Sequence, residues 1–157
     1  MSRQDIEQVI ADAPFFDGLS TDAVTFLASC ARRASFSDQE AVFTHGAPAD
    51  AFYLLLSGGI TVEIGAISGP PLMLEELTAG SVLGWSWLIP PYRWHFQARA
   101  VAPTEVLAFD GAAVRQHCED DPQFGLALFK RFSGLMSERM EHARRTMMES
   151  WNPPGFA

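Results

Sequence analysis

The stretch that decides the architecture is Gly46-Ala-Pro-Ala-Asp-Ala-Phe-Tyr-Leu-Leu-Leu-Ser-Gly-Gly-Ile-Thr-Val62. It opens on a turn, His45 to Asp50, and passes into Phe52–Leu56, a strongly apolar strand. Phe52, Leu54 and Leu56 alternate onto one face, and Tyr53 and Leu55 onto the other, because successive strand side chains point to opposite sides. With both faces apolar, the strand needs cover on both, from a second sheet on one side and a helix on the other. Ser57-Gly58-Gly59 is a tight turn, with glycine where positive φ is required. Ile60–Ile64 then alternates as the returning strand.

Outward from this hairpin the pattern continues in short strands divided by turn residues. Ala34–Phe36 and Ala41–Thr44 precede it. Leu72–Leu77, the Val82-Leu83-Gly84 segment, Phe96–Val101 and Glu105–Phe109 follow, with loop signals at Ser68-Gly69-Pro70-Pro71 and Ala79-Gly80. Many short strands at even spacing predict a mainly β fold, a double-stranded β-helix or jelly roll. Helical spacing bounds it at both ends. Ile6, Val9 and Ile10 place a helix over 3–12, and Val24, Phe26, Leu27 and Cys30 place another over about 21–32, capped by Ser20 or Thr21. A short helix over 111–118 precedes a long one from Asp120-Asp121-Pro122 to about Trp151, where Asn152-Pro153-Pro154-Gly155 stops it. The expected organisation is one domain over 1–157: helical 1–33, β-roll 34–110 and C-terminal helices 111–151.

Composition narrows the function. The 157 residues are 48% hydrophobic and 19% charged, enough for one packed core, and the net charge is −8, which opposes nonspecific binding to a phosphate backbone. Cys30 and Cys118 stand far apart without metal-finger spacing, as expected of two reduced thiols. The polar start, Met1-Ser2-Arg3-Gln4-Asp5, lacks a signal peptide's apolar core, and no apolar run is long enough to span a bilayer. The expected compartment is the cytoplasm, without membrane association.

Between the last strands lies an unusual segment, Trp85-Ser86-Trp87-Leu88-Ile89-Pro90-Pro91-Tyr92-Arg93-Trp94-His95. Its prolines preclude a regular strand. Four large aromatics stand within ten residues, interleaved with Arg93 and His95. Such a set can stack a planar or apolar ligand while a cation holds an anionic group. It can equally plug a pocket and join the core.

The order helix, β-roll, short helix, long helix resembles the cyclic-nucleotide-binding domain, the sensor half of the catabolite-activator superfamily. Residues 46–62 are similar to its G-x-x-x-D-x-x-Y-x-I-x-x-G-x-V-x-V signature, Gly80-Ser81-Val82-Leu83-Gly84 to its entry into the phosphate-binding loop, and Ala98-Arg99-Ala100 to its V-R-A strand end. The resemblance covers about residues 12–150. It implies a loop whose backbone N–H groups cradle a cyclic phosphate, a Glu holding the ribose, and an Arg followed by Ser/Thr pairing the phosphate. Here Trp85 takes the Glu position, Trp94 the Arg position and His95 the Ser/Thr position, with Arg93 one residue early. A lost charge-assisted hydrogen bond costs about 1.5–3 kcal/mol, so altered specificity is expected. The implied site is Gly84, Trp85, Ser86, Trp87, Tyr92, Arg93, Trp94 and His95, with Arg93 at the mouth of a half-closed cavity. The ligand would be a cyclic nucleotide (cAMP or cGMP) or another small anionic or aromatic molecule.

No catalytic motif appears. Glu75 and Glu76 are adjacent on a strand, so they diverge to opposite faces and share no substrate. His45, His95, His117 and His142 show no metal-ligand spacing, so neither a catalytic nor a metal residue is expected. Arg139, Arg144 and Arg145 read as a solvated helix face. The long helix resembles the family's dimerisation helix, which implies a homodimer, although its apolar stripe drifts from a strict heptad. Six residues follow Trp151, and a helix-turn-helix reader of DNA is not expected. Three readings follow: a ligand-sensing regulatory module; a ligand-free scaffold that binds a partner protein through the roll and long helix; and a small metal enzyme of the cupin-like rolls, which needs a His/Glu cluster not evident here.

Overall fold

The computed structural model describes residues 1–150; the expected stop at Trp151 to Gly155 falls outside them. Helix α1 (Arg3–Asp12) begins at a capping box in which Ser2 and Asp5 exchange hydrogen bonds. After a 3₁₀ turn at Pro14–Phe16, α2 (Thr21–Ser29) is capped by Ser20, whose hydroxyl accepts from the Ala23 N–H. Cys30 closes α2 three residues earlier than the apolar spacing predicts, and the sheet begins at once.

The strands are β1 (Ala31–Phe36), β2 (Ala41–Phe43), β3 (Ala51–Ser57), β4 (Ile60–Ile64), β5 (Leu72–Leu77), β6 (Val82–Leu83), β7 (Gln97–Ala100) and β8 (Thr104–Asp110). The β region thus starts at Ala31 rather than 34. Pairing with β8 draws it back, since Ala31 stands opposite Phe109 and Arg32 opposite Ala108. Two four-stranded antiparallel sheets form, in the orders β1-β8-β3-β6 and β2-β7-β4-β5. This is the jelly roll expected from the strand spacing.

Strand β3 behaves as its two apolar faces require. Phe52 and Leu54 turn toward the helices and join Phe16, Leu27, Trp87, Phe109, Leu128 and Phe132 in the larger core. Leu55 turns toward the opposing sheet and packs with Ile60, Val62, Leu77, Leu83, Ala98 and Val106. A register shift between Leu55 and Ser57 lets the strand leave the ladder toward its turn. Helix α3 (Gly111–Asp120) starts on the Asp110 side chain, and α4 (Pro122–Ser150) follows with Asp121 Oδ1 accepting from the Phe124 N–H. Helix α4 buries Phe124, Leu128 and Phe132 against the roll.

The β3–β4 turn has little room for change. Gly58 has φ +89°, and an added Cβ would lie 2.8 Å from Thr104 Cα, in backbone that cannot yield. Gly58→Ala therefore costs about 1–3 kcal/mol, read as a lower urea midpoint at unchanged slope. An unchanged midpoint would show that the turn relaxes freely.

Candidate functional site

A cavity of about 660 Å³ opens between the roll and α4. Its floor is Phe43, Val62, Ile64 and Leu74. One wall is the loop from Leu83 to Ser86 together with Trp94, His95 and Phe96. The other is the α4 face bearing Met136, Arg139, Met140, Ala143, Arg144 and Met147. Five of the eight residues expected at the site, Gly84, Trp85, Ser86, Trp94 and His95, line it.

Loop geometry explains the division. Residues 92–94 run antiparallel to 46–49: the Gly46 N–H donates to Trp94 O at 2.8 Å, the Trp94 N–H to Ala47 O at 3.0 Å, and the Ala49 N–H to Tyr92 O at 2.7 Å. Within that ribbon Trp94 turns inward. It lies flat on Phe43, with centroids 3.7 Å apart and planes 6° apart, and is 4% exposed. Its six-membered ring meets Gly84, where a Cβ would sit 2.8 Å from Cη2; Gly84 also has φ +100°. Trp85 is half-buried and stacks on the exposed His95 at 5.2 Å.

Three expected residues do not line the cavity. Arg93 is exposed, and its Nη1 donates to Gly46 O at 2.9 Å. Its guanidinium is spent on the ribbon, so the expectation that it stands at the cavity mouth is corrected. Neighbours on a ribbon face opposite ways, so the register that buries Trp94 turns Arg93 out. Tyr92 packs under Arg115, whose Cζ lies 4.0 Å from the ring centroid. Trp87 is fully buried in the helix-side core, stacked on Phe52 at 4.7 Å with its Nε1–H donated to Gly84 O at 3.2 Å. Ser86 and Trp87 belong to a 3₁₀ turn, Ser86–Leu88, whose last backbone carbonyls are partly answered by Arg115 on Trp87 O.

The cation at the cavity comes instead from α4. Arg139 is not on a solvated face: its side chain is 13% exposed. Its Nη2 donates to Val82 O, and its Nε lies 3.1 Å from Glu75 Oε2, off the hydrogen-bonding direction, so that this buried N–H lacks an acceptor. Burial pulls its pKa down and the Glu75 carboxylate opposes that shift; an arginine remains charged regardless. Sequence spacing holds a signal for it, because Arg139 continues the roll-facing series Leu128, Phe132, Leu135 at the next helical step. Arg144, at the rim, is held by Glu141 through Nε at 3.2 Å and Nη2 at 2.8 Å.

Burial pushes the Cys30 thiol up and the Cys118 thiol up to about 11, which leaves both protonated near neutrality. His117 is stacked on Phe26 at 3.7 Å. Among the described residues no group of three or more His, Cys, Asp or Glu is placed to hold a metal ion, and no helix is long and apolar enough to cross a membrane.

Comparison with known proteins follows the same lines. The family model for the cyclic nucleotide-binding domain matches residues 33–121. A CRP-like cAMP-activated global transcriptional regulator of Mycobacterium tuberculosis is 22% identical over 125 residues, which are 80% of this chain and 56% of that protein. The chain thus spans about half the length of the curated relatives it matches. A cyclic nucleotide-binding domain from Methylobacillus flagellatus superposes with a TM-score of 0.78 at 18% identity, covering 98% of this chain and 86% of that one. The sensor domain of the transcriptional regulator DNR from Pseudomonas aeruginosa gives 0.72 at 22% identity over 88% of this chain and 93% of that one. The regulatory domain of Toxoplasma gondii PKA with cAMP gives 0.72 at 19% identity over 87% of this chain and 50% of that one.

The Arg139–Glu75 pair makes a direct prediction. Glu75→Leu leaves a mostly buried guanidinium uncompensated and lowers stability by about 1–3 kcal/mol. Adding Arg139→Met recovers most of the loss. Urea denaturation of both single variants and the double variant measures the coupling, and strictly additive losses would show that the two charges do not interact.

Proposed function

The chain belongs to the cyclic nucleotide-binding domain family, and on that premise we propose that it is a non-catalytic ligand-sensing module whose ligand lies between the roll and α4, with specificity moved away from ordinary cyclic nucleotides. The observation that carries this reading is the make-up of the cavity wall. Trp85 and Trp94 stand at the two positions where the family resemblance implies a ribose-binding Glu and a phosphate-binding Arg. Trp94 is packed on Phe43 and Gly84, so its place is filled by a buried ring. Arg93, the nearest alternative, is turned to solvent. A ribose hydroxyl and a cyclic phosphate therefore lose the side-chain partners that would offset their desolvation. The cavity nevertheless remains open at 660 Å³, within the size range of small-molecule sites, which favours a ligand over a pocket filled by its own tryptophans.

Regulation by such a module needs a moving or associating element, and α4 supplies one. Beside the stripe that packs on the roll it carries a second, at Leu126, Phe129, Met140 and Met147, spaced at three, eleven and seven residues, whose two methionines also border the cavity. Leu126, Phe129, Met140 and Met147 are exposed. That spacing keeps to the positions of a heptad seam. Two copies pairing α4 along a two-fold axis would cover it, which supports the homodimer.

Two measurements test the proposal. Titration of the intrinsic tryptophan fluorescence with cAMP and with cGMP is expected to show no saturable change below millimolar concentration; micromolar saturation by either would overturn the altered specificity. Light scattering on the whole chain is expected to give a dimer that Phe129→Glu converts to monomer. A wild-type monomer at high protein concentration would refute pairing through α4.

A further inference from the structure

We infer that the cavity between the roll and α4 takes an apolar monocarboxylate, its body against the cavity's hydrocarbon walls and its carboxylate on Arg139. The inference deepens the ligand-sensing reading and rests on it.

The walls are mostly carbon. Val62, Ile64, Leu74, Leu83 and Phe96 face Met136, Met140 and Met147 across the space. Methionine side chains are unbranched and adapt to irregular apolar shapes. Polar lining groups are few, namely Glu75, Ser86, His95, Arg139 and Arg144. A polyhydroxylated ligand would find little to pair with, and each unpaired hydroxyl would be penalised.

The protein carries a net −8, and the cavity lining brings in two arginines, each faced by one glutamate: Arg139 by Glu75 and Arg144 by Glu141. Arg144 is answered at the rim by Glu141, an exposed pair. Arg139 is the buried cation, with its Nε 3.1 Å from Glu75 Oε2 and its Nη2 donated to Val82 O. Its side chain lines the cavity, and arginine's planar fork matches a carboxylate. Glu75 already sits on this guanidinium, so an incoming carboxylate shares Arg139 with it, and a second negative charge on the ligand is opposed.

The test is calorimetric titration of the full chain with decanoate (an acyl acid), 2-naphthoate (an aromatic acid), 1-decanol (the neutral counterpart) and cAMP. At least one of the two acids is expected to bind at micromolar concentration, and which one does separates an acyl from an aromatic ligand. Decanoate is expected to exceed decanol by tenfold or more if the acyl acid is the binder. Arg139→Met is expected to weaken acid binding by roughly ten- to hundredfold. Because that variant also loses a structural ion pair, Glu75→Gln supplies the opposite arm: it frees Arg139 and should tighten acid binding severalfold, a gain that damage to the fold does not produce. Binding of decanol as tight as that of both acids, or unchanged acid affinity in Arg139→Met, would overturn the carboxylate inference while leaving a ligand cavity in place. Micromolar cAMP with no acid binding would overturn both this inference and the altered specificity. Silence from all four compounds would refute the carboxylate inference and leave the ligand-sensing reading resting on the open cavity.

Discussion

Trp94 lies flat on Phe43 and sets its outer edge on the bare Cα of Gly84. Much of the cavity's character follows from that contact. The edge can approach only because residue 84 has no Cβ, and glycine also tolerates the positive φ the chain needs there. The ring is delivered by a short antiparallel ribbon, residues 92–94 against 46–49, whose hydrogen bonds fix the register. Strand periodicity then leaves no freedom: with Trp94 inward, Arg93 is outward. One residue of slip would exchange them, placing a guanidinium in the roll and a tryptophan in water. Burying the large apolar ring is the favourable choice by several kcal/mol, and the ribbon holds it.

With the loop unable to present its arginine, positive charge at the cavity has to arrive from another element. Helix α4 does this with Arg139, which reaches across to Glu75 on β5 and to the carbonyl of Val82 on β6. The fold stays that of the family, but the buried cation at the cavity belongs to the helix rather than to the loop. The loop contributes flat aromatic walls, Trp94 on Phe43 and Trp85 on His95.

How far the sequence was legible depended on whether the deciding interactions were local. Phe52 to Leu56 announced a strand buried on both faces, and the structure divides those residues between two cores as the alternation requires. Ser20 and Asp110 cap the helices they precede. The start of β1 is not legible locally, because Ala31 to Arg33 carry weak strand signals of their own and are held by partners more than seventy residues away on β8. The same cause hid the site's cation. Arg93 drew attention by standing among aromatics, whereas its direction was settled by pairing with residues 46–49. Arg139 looked like one of several arginines on a polar helix face. The 3-4 spacing from Leu128 through Phe132 and Leu135 does point to it, but apolar spacing is ordinarily read through apolar residues, and a charge on that line looks like the end of the stripe.

Arg139 also shows how the cavity and the helix are energetically linked. Up to Phe132, α4 is held on the roll by fully buried side chains; beyond it Leu135, Arg139, Ala143 and Thr146 are only half-buried. Over this stretch the helix meets the roll at the Arg139–Glu75 ion pair and around the cavity rather than through fully buried apolar side chains. A ligand can shift the position of this part of the helix only by the difference in its affinity for the two positions. Contacts to the roll alone would supply none. A group that engages Arg139, while its body rests on both the strands and the methionines of α4, touches the two sides of the joint at once, so its binding energy depends on where the helix lies.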